Sequence, residues 1–248
     1  MRLAKFRFVH RFCVAGFALL PTSWLGLDAL WADDAPLHSA VEAAHKTHEE
    51  SQLQSLKTQL EQKIAQDPKD AASYLDLARV NAYVADVYEM KKDKKLEAVA
   101  VDKAIEMVQH SIQLNDKSAD AHSLLADLYG RKIGLGTAMF AGPKFGPKVK
   151  EENAKAMALD DKNPLVWASL GRLYLMAPKM FGGDASKAIE SFQKSLTLDA
   201  AQDETWVWLA KAFAKQGDKS KAHEAIQHAL SLNPGSPWIK SSAASLDK

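Results

Sequence analysis

Nine residues at fixed intervals near the C-terminal end constrain this chain more than any other feature. Between residues 203 and 236 lie Trp206, Leu209, Ala210, Phe213, Gly217, Ala222, Ile226, Ala229 and Pro234. The apolar positions fall at helical spacing on either side of Gly217-Asp218, which marks a tight turn. Pro234 stops the second helix. Small side chains at Ala210 and Ala222 let two antiparallel helices approach closely, and Trp206, Phe213 and Ile226 fill the space between them. A chain of such hairpins grows as a stack without one closed core.

The pattern recurs upstream. Trp167, Leu170, Gly171 and Tyr174 open a second hairpin, and Ala188, Phe192, Ser195 and Leu198 close it. Its turn is widened by residues 178–183, and Asp184 reads as the cap of the helix that follows. A third unit begins at His122, Leu125, Ala126 and Tyr129 and resumes near Val149, Ala156 and Leu159, interrupted by residues 131–148. A fourth starts at Tyr74, Leu77 and Ala78 and resumes at Ala104, Val108, Ser111 and Leu114. Its extra residues, 85–100, are Lys- and Glu-rich and predict longer helices. A leading helix carries Leu53, Leu56, Leu60 and Ile64 and ends at Asp67-Pro68.

These positions resemble the 34-residue signature of the tetratricopeptide repeat (TPR) family over most of residues 53–236. The resemblance implies an all-α, TPR-like α-solenoid of antiparallel helix pairs, with long insertions in the early hairpins. Residues 33–52 read as a linker or helix, and 237–248 as a capping helix and tail. The stretch 170–196 is also similar to the periplasmic T subunits of TRAP transporters, where Gly-Arg-x-Tyr and Pro-x-x-x-Gly-Gly pieces recur; here these are Gly171 to Tyr174 and the 178–183 turn.

The N-terminus differs in kind. Arg2, Lys5, Arg7 and Arg11 form a basic leader, an apolar run follows, and Pro21, Thr22 and Ser23 break it. That order predicts a signal peptide over residues 1–32, cut after Ala32, although Leu30 is not the small residue usual at minus three. The alternative is an uncut anchor, against which Pro21 and Asp28 argue. Cys13, the one cysteine, lies inside the leader and follows no lipobox. The mature chain then has no thiol and 28 basic residues against 30 acidic ones, a balance unlike that of a nucleic-acid binder. The expected location is the periplasm or the exterior, with no membrane span in the mature chain.

The TPR resemblance implies that positions 2, 5, 9 and 12 of each first helix face a concave groove. These are Glu204, Val207, Lys211 and Ala214 in the last unit and Leu165, Ala168, Arg172 and Leu175 in the one before. In the earlier two they are Asp120, Ser123, Asp127 and Gly130, then Ala72, Leu75, Arg79 and Ala82. Arg79, Asp127, Arg172 and Lys211 thus occupy equivalent places, and with Leu75 and Val207 they are the candidate binding residues. Cations along the groove suit an acidic or carboxylate-ended peptide; equally, the charges stand solvated or pair with one another. Carboxylate clamping of the chaperone-tail kind is not supported, since Leu75 and Arg79 stand where it needs a cation and Asn.

Residues 131–148 combine Gly134, Gly136, Gly142 and Gly146 with Ile133, Leu135, Met139, Phe140 and Phe145. They read as an apolar loop. Either it lines a ligand pocket through Met139, Phe140 and Phe145, or it packs on the neighbouring hairpin. No strand precedes Gly134 and no Gly-Lys-Ser/Thr follows, so it is not a phosphate loop. His38, Glu42, His45 and Glu49 share one helical stripe, with His48 beside it. That set is compatible with a metal but reads better as a solvated linker helix, and no metal or cofactor is assigned. No nucleophile elbow or placed carboxylate pair supports catalysis. The expected function is a scaffold for an unidentified protein or peptide; the alternative is a small-ligand binder or transporter accessory using the 131–148 stretch.

Overall fold

The computed structural model describes residues 34–136 and 138–246. The expected signal peptide lies outside them. Among the described residues there are eleven α-helices and one 3₁₀ turn, and no strand. After α1 (Asp34–Thr47) and α2 (Glu50–Gln66) come four antiparallel hairpins. They are α3 (Ala71–Met90) with α4 (Lys94–Leu114), α5 (Ala119–Leu135) with α6 (Ala138–Leu159), α7 (Pro164–Met176) with α8 (Ala185–Leu198), and α9 (Asp203–Gln216) with α10 (Lys219–Leu232). A final helix, α11 (Pro237–Leu246), packs against α9 and α10. No helix among the described residues is long and apolar enough to cross a membrane.

Local chemistry sets the boundaries. Asp70, Asp93, Ser118, Asn163, Asp184 and Asp218 each cap a helix by accepting from backbone N–H groups one turn in. Gly217 adopts φ +85 after α9, and the Asp218 N–H reaches the Phe213 carbonyl at 3.0 Å, closing the helix end. The large residue opening each of the last three first helices also ties down the preceding connection. Trp167 and Trp206 donate their indole N–H to the carbonyls of Asp161 and Ala200, at 2.6 and 3.0 Å. His122 Nε2 lies 3.0 Å from the Asp116 carbonyl in the same relation. Ser111 and Ser195 likewise donate to the carbonyls of Ala71 and Pro164, each at 2.8 Å, pinning each second helix to the start of its first.

Two expectations need correction. Residues 131–148 are not a loop. α5 continues to Leu135 and α6 starts at Ala138, so the insertion lengthens both helices. Pro143 and Pro147 lie inside α6, four residues apart and both exposed. Interior prolines and dense glycine ordinarily break a helix, which is why the sequence read as a loop. The apolar side chains find tertiary partners instead: Ile133, Leu135 and Phe145 pack on the core between α3–α4 and α5–α6, and Phe145 stacks on Tyr129 at 5.6 Å. The second correction concerns α1, which is not a solvated linker. Val41 and Ala44 have no exposed surface and share a core with Leu53, Leu56 and Leu60 of α2 and Val80 of α3.

Among the described residues, the apolar clusters extend from Leu37 to Leu246. One close contact is at Gly171 of α7, where a Cβ would lie 2.6 Å from the ring of the fully buried Phe192 on α8. Gly171→Ala is expected to cost about 1–3 kcal/mol through overpacking. Gly130→Ala, where an added Cβ meets nothing within 4 Å, should be neutral or stabilising by up to about 1 kcal/mol from helix propensity. Urea unfolding of the two variants checks the contrast.

Candidate functional site

The equivalent residues on the first helices α3, α5, α7 and α9 are paired rather than free. Arg79 donates to Asp76 at 2.9 Å and to Asp120 of the next hairpin at 2.8 Å, with Glu42 of α1 at 3.9 Å. Burial would lower the Arg79 pKa, but the three acids hold it above its ordinary value. Asp127 takes a two-pronged bond from Arg172, with Nε to Oδ1 at 2.9 Å, and accepts from Ser169 at 2.9 Å. Lys211 has its ammonium over the rings of Trp208 and Trp238, 4.4 and 4.9 Å from their centroids. Burial pushes its pKa down, against the pull of Glu89, Glu204 and Asp86.

The two apolar candidates differ in their surroundings. Val207 is fully buried in the C-terminal core. Leu75 is at the edge of burial, beside a cavity of about 320 Å³ near the start of α1, shared with Leu37, His38, Asp76 and Arg79. Of the three residues expected to line a pocket, Phe145 is packed on Tyr129 and Phe140 is 73% exposed; Met139 falls in the first turn of α6.

α1 packs on α2 and α3 and reaches α9 through an ion pair. Its histidines pair with carboxylates on the facing walls: His38 Nδ1 with Asp76 at 2.9 Å, His45 Nε2 with Glu204 at 2.8 Å, and His48 Nε2 with Asp86 at 3.4 Å. Asp76 and Asp86 belong to the first hairpin and Glu204 to the last, so α1 bridges the two ends of the stack. The rings of His45 and His48 also lie beside Tyr83, at 5.1 and 6.3 Å. Asn233, after α10, donates to the Lys46 carbonyl at 3.1 Å and to Asp203 at 2.9 Å. Met90 at the end of α3 packs on the C-terminal core, and α11 reaches α3, completing the closure. Next to this contact Arg131 gathers Asp86, Glu97 and Glu89 at 2.5, 3.1 and 3.4 Å.

Sequence reasoning missed the Arg131 cluster because it placed Arg131 in a loop. It found the histidine stripe of α1 but not the walls that the stripe meets. The usable signal was Glu204, an expected groove position of the last hairpin, together with Leu37, Val41 and Ala44 at helical spacing in α1.

The family model of RMD1-3, described as regulator of microtubule dynamics protein 1-3, matches residues 37–243. The chain belongs to that family. The matched segment begins within α1, so this helix is part of the RMD1-3 unit itself. No curated protein matches the chain by sequence. Among solved structures it is similar to TTC0263, a thermophilic TPR protein of Thermus thermophilus, with 17% identity over 86% of this chain and 97% of that one and a TM-score of 0.64. MamA aligns at 17% identity over 79% of this chain and 93% of that one, with a TM-score of 0.41. PilF of Pseudomonas aeruginosa aligns at 20% over 68% and 67%, with a TM-score of 0.41. The TTC0263 likeness shows the TPR fold for this RMD1-3 member.

The His45–Glu204 pair makes the seating of α1 depend on pH. Burial would lower the His45 pKa, but attraction to Glu204 and the hydrogen bond with it raise it from 6.5 to about 9. Burial would raise that of Glu204, but His45 and Arg172 lower it from 4.5 to about 2. The histidine contribution to stability is complete below pH 6.5 and is lost as pH rises through about 9; the carboxylate contribution is complete above pH 4.5 and is lost as pH falls through about 2. The pair therefore holds α1 best between those two unfolded-state values. In Glu204→Gln, the His45 imidazole is expected to titrate well below the wild-type value of about 9, as read by NMR of the ring protons.

Proposed function

We propose that this RMD1-3 member is an exported interaction scaffold whose concave face binds an amphipathic helix, with α1 as the resident occupant that a partner's helix replaces. The observation carrying the reading is the seating of α1. One helix face buries Val41 and Ala44 while His38, His45 and His48 meet carboxylates on opposite walls. This is helix-in-groove recognition, with apolar anchors at helical spacing and charged pairs fixing the register. It departs from an open groove with cations facing an acidic peptide. Arg79 and Arg172 are held by carboxylates of the walls, and the carboxylates left for an incoming helix, Asp76, Asp86 and Glu204, favour a partner with basic side chains on one face. Export is supported by the basic, apolar and breaker order of residues 1–32. The small-ligand reading has lost its lining loop, since residues 138–148 are helical.

Helix exchange tests this in the full-length chain. The probe is a labelled peptide of residues 34–49, and the comparison is wild type against the Val41→Asp/Ala44→Asp variant, whose own α1 cannot seat its buried face. The variant is expected to take up the peptide at least about tenfold more tightly, because removal of a competing intramolecular occupant raises the competent fraction. A peptide carrying the same two substitutions should not bind. Absence of peptide binding by a variant that keeps its far-UV helix signal would sink the proposal.

A further inference from the structure

The tip that joins α5 to α6 and the first turns of α6 are one-sided in charge. From Arg131 to Lys150 there are five cations and no acid. Arg131 and Lys132 are held by acids of neighbouring helices, Lys132 by Asp102 at 2.7 Å. Lys144, Lys148 and Lys179 are exposed; the first two rest over the rings of Phe145 and Tyr129, at 5.1 and 5.2 Å, and Lys148 also acts on the Glu151 carboxylate of its own helix.

This tip and that of α7–α8 carry the most exposed large apolar side chains of the described residues: Met180 at 83%, Phe140 at 73%, Met176 at 66% and Phe181 at 55%. They come from adjacent hairpins. Asp127 and Arg172 are joined across α5 and α7 with a separation of 45 residues. α5 and α7 pack side by side, so the tip that follows α5, with Phe140, and the 3₁₀ turn Lys179–Phe181 that follows α7 lie on the same edge of the stack. Gly182, at φ +95, closes that turn and keeps Met180 and Phe181 outside the core.

We propose that the tips of hairpins α5–α6 and α7–α8 form a docking edge for the surface of an anionic bilayer. Phe140, Met180 and Phe181 seat at the headgroup boundary, and Lys144, Lys148 and Lys179 lie over lipid phosphates. Separate projecting apolar tips ringed by lysines suit a deformable interface better than a rigid partner, which needs a continuous complementary patch. Lysine stems lie along apolar surface while their ammonium groups reach the phosphates. This edge is distinct from the face that holds α1.

The test is flotation of residues 34–248, which hold all the described helices and omit the N-terminal apolar run, once their far-UV helix signal is matched to that of the full-length chain, with vesicles of phosphatidylcholine alone or with about 30% phosphatidylglycerol. Binding is expected only to the anionic vesicles. Phe140→Ser/Met180→Ser/Phe181→Ser should weaken it at least about tenfold with the melting temperature unchanged, since these side chains are exposed. Lys144→Glu/Lys148→Glu should abolish the preference for anionic lipid. Equal binding to both vesicle types, or binding unaffected by the triple variant, overturns the proposal. So does binding to polyglutamate but not to vesicles, which would assign the edge to an acidic protein.

Discussion

Close approach of paired helices at small residues is the constraint on which the rest of this structure depends. Ala78 and Ala104, Ala126 and Ala156, and Ala210 and Ala222 are all buried, and Gly171 accepts the Phe192 ring where no Cβ fits. Such contacts draw the two helices of a hairpin together, and the large residues then fill what remains. Because each hairpin covers only its neighbours, stacking turns a short repeated pattern into a curved wall. The curvature brings the last hairpin back within reach of the first.

Once the wall curves, its inner charges lose water. Lone buried charges are costly, so each equivalent position acquires a partner. Arg79 takes Asp76 and Asp120, Asp127 takes Arg172, and Lys211 rests against Trp208 and Trp238. The helix α1 completes the arrangement, offering apolar surface to α2 and α3 and histidines to the carboxylates on the walls. His48 adopts φ +50, a conformation unfavourable for a side chain with a Cβ, to turn α1 into α2. That local strain is held by the burial around it. Residence of α1 there thus follows from what the curvature leaves uncovered.

Much of this was legible in the residues. The hairpins, their turns at Gly217 and around 178–183, the Asp184 cap and the lengthened α3 and α4 follow from spacing and capping chemistry, which act over a few residues. The 131–148 stretch misled because local preference and tertiary packing disagree there. Glycines and two prolines argue against helix, yet Ile133, Leu135 and Phe145 gain a buried position only if α5 and α6 lengthen together. The histidine stripe of α1 was visible too, but a metal site, a solvated face and an ion-paired face share one spacing.

The sequence by itself determined that this protein is an all-helical stack and which residues make its hairpins close. Those properties rest on interactions within a hairpin or between neighbours, and the repeat spacing encodes them directly. Only the tertiary structure decided that the equivalent charges are paired and that α1 joins Asp76 and Asp86 of the first hairpin to Glu204 of the last. Those facts depend on the accumulated rotation along the stack. Small differences in packing at each interface sum over four hairpins, and no local pattern records the sum.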